Sequence, residues 1–256
     1  MKQLRSLTSK KQSRQKTSNK RGSSASAALG LALREVTVSW RNTPLFAPLT
    51  LDIAPGAIAS LMGSSGAGKS TLLAAILGTL DSSFHISGKI LLNAREVAEV
   101  APHMRGIGLL FQDDLLFPHM TVAENLAFAL PHGLPKADKK RQVVQALEQV
   151  EMPDLGDRKP FAISGGQRMR VTLMRTLLAQ PKALLLDEPF SKLDQDLRAR
   201  IRTWVFAHIR ERAIPALMVS HDLADAKAAD PDRIYHLTSQ NQPKKVRRTT
   251  ARGHSG

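Results

Sequence analysis

Hydrophobic positions change their period several times along this chain. From Leu31 to Trp40 (LALREVTVSW) they alternate in part and end near β-branched residues, which predicts a strand. Leu49 to Ala54 predicts another, followed by a Pro55-Gly56 turn. Ala57 to Met62 (AIASLM) is a short apolar run suited to a buried strand. A glycine-rich loop follows, then a helix from about Lys69 to Leu77. Ile86 to Leu92 and Ile107 to Phe111 are further strand candidates.

From about Asp113 to Gln180 the pattern becomes helical. Thr121 and Glu124 have the spacing of a capping box, in which the first side chain accepts from the third backbone amide and the acid answers it. Ala137 to Val150 predicts a second helix. Ser164 and Gln167 form another capping box, opening a helix that must end before Pro181. Strand character returns at Ala183 to Leu186 and at Ala216 to Ser220. Helices are expected at Leu197 to Glu211 and at Asp222 to Ala229.

Alternating strands and helices predict an α/β fold: a mostly parallel sheet covered by helices, with antiparallel strands at the N-terminal side. The stretch 113–180 is expected as a helical subdomain inserted into it. The ordered domain is expected to span residues 28–239.

Charge refines this division. The 256 residues carry a net charge of +15. Of 37 Lys and Arg, eight fall in residues 1–27 and five in 240–256, where there is no acid, so 24 remain against all 22 acids. The basicity therefore belongs to two tails, poor in apolar residues and expected to be disordered. The first tail has three readings: a solvated extension, a contact with anionic lipid, or a transit peptide lacking an apolar face. A secretory signal is excluded, because no apolar middle segment is present. There is no cysteine, which rules out disulfides and thiolate metal sites. No apolar run is long enough to span a bilayer.

Residues 63–70 (GSSGAGKS) fit G-x-x-x-x-G-K-[ST] between a predicted strand and a predicted helix. Gly63, Ser64, Ser65, Gly66, Ala67 and Gly68 would curl so that successive amides face one anion. The helix N-terminus adds partial positive charge. Lys69 would reach the β- and γ-phosphates and Ser70 would ligate Mg²⁺, with Thr71 completing the set. Alone, this loop says only NTPase or kinase.

Ala183 to Pro189 (ALLLDEP) is an apolar strand ending in two carboxylates. At the C-terminal edge of a parallel sheet they face the ligand crevice. Asp187 would hold Mg²⁺ and Glu188 would polarise the attacking water.

Ile163 to Gln167 (ISGGQ), together with these two motifs, resembles the signature of the ABC ATPase family, usually written LSGGQ. The resemblance covers about residues 31–237. Gln112, in LLFQDDLLFP, matches the family's Q-loop, Ser191 to Asp194 (SKLD) its D-loop, and His221, in MVSHD, its switch histidine. Trp40 stands where the family places an aromatic ring on adenine. The resemblance implies that Ser164, Gly165, Gly166 and Gln167 face ATP held by a second subunit, so the active unit is a dimer around two ATP. It also implies that Gln112 senses Mg²⁺ and water, and that His221 binds the γ-phosphate and orients Glu188. Two departures stand out: Ile163 for leucine, and Lys192 where a small residue is usual.

The stretch Arg105 to Leu130 is similar to ATPases of bacterial importers for sulfate, ferric iron, thiamine, molybdate or polyamines. The resemblance implies separate membrane permease subunits, an extracytoplasmic binding protein, and a place at the cytoplasmic face of the inner membrane. No extra C-terminal regulatory domain and no nucleic-acid partner are expected. A detached exporter ATPase and a soluble non-transport ABC ATPase are the alternatives. The latter is disfavoured because this chain has neither a second ATPase domain nor a coiled-coil insertion.

Overall fold

A computed structural model describes residues 29–111 and 115–239. Both basic tails, and Gln112 with the two aspartates after it, lie outside the described residues.

Two sheets organise the protein. The first is antiparallel. Its long strand β1 (Leu31–Trp40) pairs with β2 (Thr43–Pro44), β3 (Leu49–Ile53) and β5 (Phe84–Leu92), and β5 pairs with β6 (Arg95–Glu96). The second is wholly parallel. It contains β4 (Ile58–Met62), β7 (Ile107–Leu110), β8 (Ala183–Asp187), β9 (Ala216–Val219) and β10 (Ile234–His236), in the order β10-β4-β9-β8-β7. The antiparallel and parallel strands thus form separate sheets. No period or motif in the sequence marks β10 or the two-residue strands β2 and β6.

The short apolar runs make sense in the parallel sheet because it is buried on both faces. Ala183 and Leu185 point to one side, into a cluster with Ala59, Leu61, Leu217 and Val219. Leu184 and Leu186 point to the other, with Ile58, Ala216 and Met218. Helix α1 (Lys69–Leu77) fills the first side, packed between the two sheets. It buries Leu72, Leu73, Ala75 and Ile76. The second side is covered by α4 (Gly165–Leu178) and α5 (Gln195–Glu211) through Leu173, Leu177, Val205 and Ile209.

A third apolar cluster lies away from the sheets. It joins α2 (Val122–Phe128) and α3 (Lys136–Gln149) to the near face of α4 through Val122, Leu126, Leu147, Val171 and Met174. Both expected capping boxes are formed, at Thr121–Glu124 and at Ser164–Gln167. Asn125 is fully buried on α2 and ties the segment before the helix to its first turn. Its Nδ2 donates to the carbonyls of Phe117 at 3.1 Å and Thr121 at 2.9 Å, while its Oδ1 accepts from the Phe117 amide at 2.8 Å. The last helix, α6 (Leu223–Ala229), packs beside β4.

Arg105 is a polar group inside this frame, 5% exposed. It closes the far end of α1. Its Nη1 donates to the carbonyls of Ala75 at 2.9 Å and Ile76 at 2.7 Å, and its Nε donates to Val100 at 2.7 Å. Terminal helix carbonyls lack intrahelical donors and carry partial negative charge, and a guanidinium answers both needs. Replacing it by alanine leaves those carbonyls buried without partners. Arg105→Ala should lower stability by about 3 kcal/mol, read as a reduced urea midpoint with an unchanged slope.

Candidate active site

The loop 63–68 leaves the C-terminal end of β4 and opens α1. Gly68 is the N-cap of α1 with φ of 91°, and a Cβ there would lie 2.8 Å from the Phe46 ring. Only glycine satisfies both the left-handed backbone and the close approach. Lys69 bends back across the loop, its Nζ donating to the carbonyls of Gly63 at 2.8 Å and Ser64 at 2.9 Å. The ammonium is thus held at the rim of the turn that the amides line.

A cleft of about 420 Å³ opens at this loop. Gly63, Ser65, Gly66, Gly68, Lys69, Ser70 and Thr71 line one side, with Asp187, Glu188 and His221 on the other. Ala67 is buried beneath the loop. The fold therefore brings together residues more than 150 positions apart, because β4, β9 and β8 are adjacent in the parallel sheet and end at the same edge.

Asp187 ends β8. Burial first, then the neighbouring Glu188 charge, pushes its carboxyl above the ordinary carboxylate range, while Lys69 and a hydrogen bond from Ser70 pull it back. The imbalance favours a cation at this point. Ser70 and Asp187 offer hard oxygen donors of the kind Mg²⁺ takes. Among the described residues, no group of three or more His, Asp or Glu side chains could hold a metal by itself. A magnesium ion held by Ser70 and Asp187 would take its further oxygens from phosphate and water.

Glu188 adopts φ of 46°, unusual for a residue with a side chain. Three hydrogen bonds hold it there. Its amide donates to the Val219 carbonyl at 3.0 Å, and its own carbonyl accepts from the Ser191 amide at 3.2 Å and the Ser191 hydroxyl at 2.9 Å. Such conformations persist where the surroundings over-determine them. Here the turn brings the Glu188 Oε2 to 3.1 Å from Nδ1 of His221.

Other sequence candidates among the described residues lie elsewhere. Ser164, Gly165, Gly166 and Gln167 form the N-terminus of α4 and do not line the cleft. Ser164 Oγ accepts from the Gln167 amide at 3.2 Å, and Gln167 Oε1 accepts from the Ser164 amide at 2.8 Å. A Cβ on Gly166 would lie 2.7 Å from Leu197 of α5, so this glycine lets two helices meet. The amides of Gly165 and Gly166, in the first turn, have no intrahelical acceptor. Trp40 ends β1, 43% exposed and outside the cleft lining, with the Arg41 guanidinium 4.5 Å from its ring centre.

Some residues at the cleft carry no mark in the sequence. Leu45 lines the cleft, and Phe46 packs beneath Gly68. Both follow the two-residue strand β2, and no spacing or motif marks them. Ser191 belongs to the SKLD segment, and its contact with the Glu188 carbonyl depends on the turn itself.

A family model described as ABC transporter matches residues 46–191, more than half the chain. The chain is 43% identical over 198 residues to an uncharacterised ABC transporter ATP-binding protein of Escherichia coli strain K12, covering 77% of this chain and 91% of that one. It is 45% identical over 179 residues to the thiamine import ATP-binding protein of Vibrio cholerae serotype O1, covering 70% and 74%. It is 41% identical over 197 residues to the putrescine transport ATP-binding protein of E. coli strain K12, covering 77% and 52%, so it spans about half the length of that relative. The matched span contains the phosphate loop, the two carboxylates at the end of β8 and the α4 N-terminus. The chain belongs to the ABC transporter family, as an ATP-binding subunit that hydrolyses ATP.

Proposed function

We propose that this protein drives import as a homodimer, with ATP held between the cleft of one copy and the α4 N-terminus of the other. The convergence of Lys69, Ser70, Asp187, Glu188 and His221 on one cleft carries the reading. The position of Ser164 to Gln167 outside that cleft supports a second copy, since a capped helix N-terminus is an anion site that needs a ligand from elsewhere.

In this scheme the loop amides and Lys69 take the β- and γ-phosphates. Ser70 and Asp187 would hold Mg²⁺, with Gln112 as a third contributor, and the ion would supply charge neutralisation to the phosphates. Glu188 accepts a hydrogen bond from the attacking water and takes its proton as the water oxygen bonds to the γ-phosphorus. The bond to the β-γ bridging oxygen breaks and ADP leaves. His221, beside Glu188, contacts the γ-phosphate and keeps the carboxylate aimed. Loss of the γ-phosphate removes the group that both copies share, which separates them. Trp40 would stack on the adenine at the open end.

No helix among the described residues is long and apolar enough to cross a membrane. In this reading the membrane path belongs to separate permease subunits. Leu115 and Phe128 lie 49% and 61% exposed beside the helical cluster, and exposed apolar side chains of this kind support a docking site for a permease helix. The relative named for thiamine import supports import; in this reading an extracytoplasmic binding protein selects the cargo. The working place is then the cytoplasmic face of the inner membrane.

Glu188→Gln should reduce ATP turnover by about 10²- to 10³-fold while nucleotide affinity stays within about threefold. Full turnover would remove Glu188 from this role. Lys69→Ala should weaken both MgATP binding and hydrolysis, which titration with a fluorescent nucleotide measures; normal binding would overturn the phosphate-loop assignment. Co-purification from detergent-solubilised membranes tests the transport reading, which requires a multi-span permease among the recovered proteins.

A further inference from the structure

Among the described residues one carboxylate is fully buried: Asp225, 1% exposed, in the first turn of α6. The hydrolytic scheme does not use it. It accepts from two arginines of α5. Arg198 approaches through Nε at 3.1 Å and through Nη2, and Arg202 Nη1 donates at 3.0 Å. The same Nη2 of Arg198 lies 2.9 Å from Oδ2 of Asp222. Asp222 is the N-cap of α6 and follows His221 directly, and its amide donates to Ser220 Oγ at 3.0 Å.

These contacts close a ring around the Glu188–His221 pair. On one side Ser191 holds the Glu188 carbonyl, and α5 begins four residues later, capped by Asp194. On the other side His221 leads into α6. Arg198 and Arg202 join the two helices. Stability alone does not explain this network. Ala226 and Ala229 already dock α6, at 0% and 4% exposure. A buried ion pair contributes little net stability, because desolvation offsets its attraction. Its bidentate geometry does fix one helix against another in position and angle.

We propose that Asp225 is a positioning residue for ATP hydrolysis: gripped by Arg198 and Arg202, it sets the distance between His221 and Glu188. It lies outside the cleft lining and would act through the helix that follows His221. The proposal rests on reading Glu188 and His221 as the hydrolytic pair.

The test is a double-mutant cycle on the full chain with MgATP. Asp225→Asn keeps the shape and one acceptor oxygen but removes the charge. Turnover should fall about tenfold, while affinity for a fluorescent ATP analogue stays within about twofold. In a His221→Ala background, measured by single turnover with enzyme in excess, Asp225→Asn should cost less than about twofold more, because the group it positions has gone. Unchanged turnover in Asp225→Asn overturns the proposal, and so does an equal loss in both backgrounds. If Asp225→Asn does not fold, Arg202→Met goes through the same cycle. If neither folds, the network is structural and the proposal fails. Wild-type turnover by His221→Ala alone would defeat the reading of the pair itself, which is distinguishable from an additive loss.

Discussion

Burial of α1 between two sheets of opposite character is the constraint on which the rest depends. The helix must begin at the end of β4, because its first residues shape the phosphate cradle. It must also be apolar on more than one face, because the antiparallel sheet packs on one side and the parallel sheet on the other. Leu72, Leu73, Ala75 and Ile76 meet that demand with 0–2% exposure. Near its C-terminus the carbonyls of Ala75 and Ile76 are buried. Arg105 supplies the missing donors from a separate segment, and Gly78 leaves room for its guanidinium. The cradle at one end of α1 and the buried arginine at the other belong to one solution: fixing a helix that must present its N-terminus to an anion.

The division of the fold into two sheet faces and a helical cluster sorts the functional parts. The cleft is made where β4, β8 and β9 end. The α4 N-terminus is set apart from it, and Leu197 of α5 packs against Gly166 there. α5 therefore touches both regions: its first turns meet the α4 N-terminus, and its arginines meet the helix that follows His221. Asp194, its N-cap, accepts from the Leu197 amide at 3.0 Å and ties the start of that helix to the turn after Glu188.

Much of this was legible because it is local. The apolar runs at Ile58–Met62 and Ala183–Asp187 are short and continuous, as strands buried on both faces must be. Capping boxes and the phosphate loop are contiguous and carry their own geometry, so they read directly. What stayed hidden depends on encounters between distant segments. β10 is three residues long and only partly buried, so no period marks it. The strand order cannot be read from local pattern, since β4 lies between β9 and β10. Leu45 reaches the cleft only because β2 folds back on β1. No motif or spacing marks Asp225, whose partners Arg198 and Arg202 come from a different helix.

The left-handed backbone at Glu188 has a consequence beyond aiming a carboxylate. A β-branched side chain is strongly disfavoured at positive φ. Valine, isoleucine and threonine are thus barred from position 188 by torsion, whatever their chemistry. Asparagine and aspartate, which tolerate this region best, are shorter and would withdraw their polar atoms from His221. The position is therefore filtered twice, once by the dihedral angle and once by reach. Among acids, only the longer carboxylate satisfies both at the distance this turn sets.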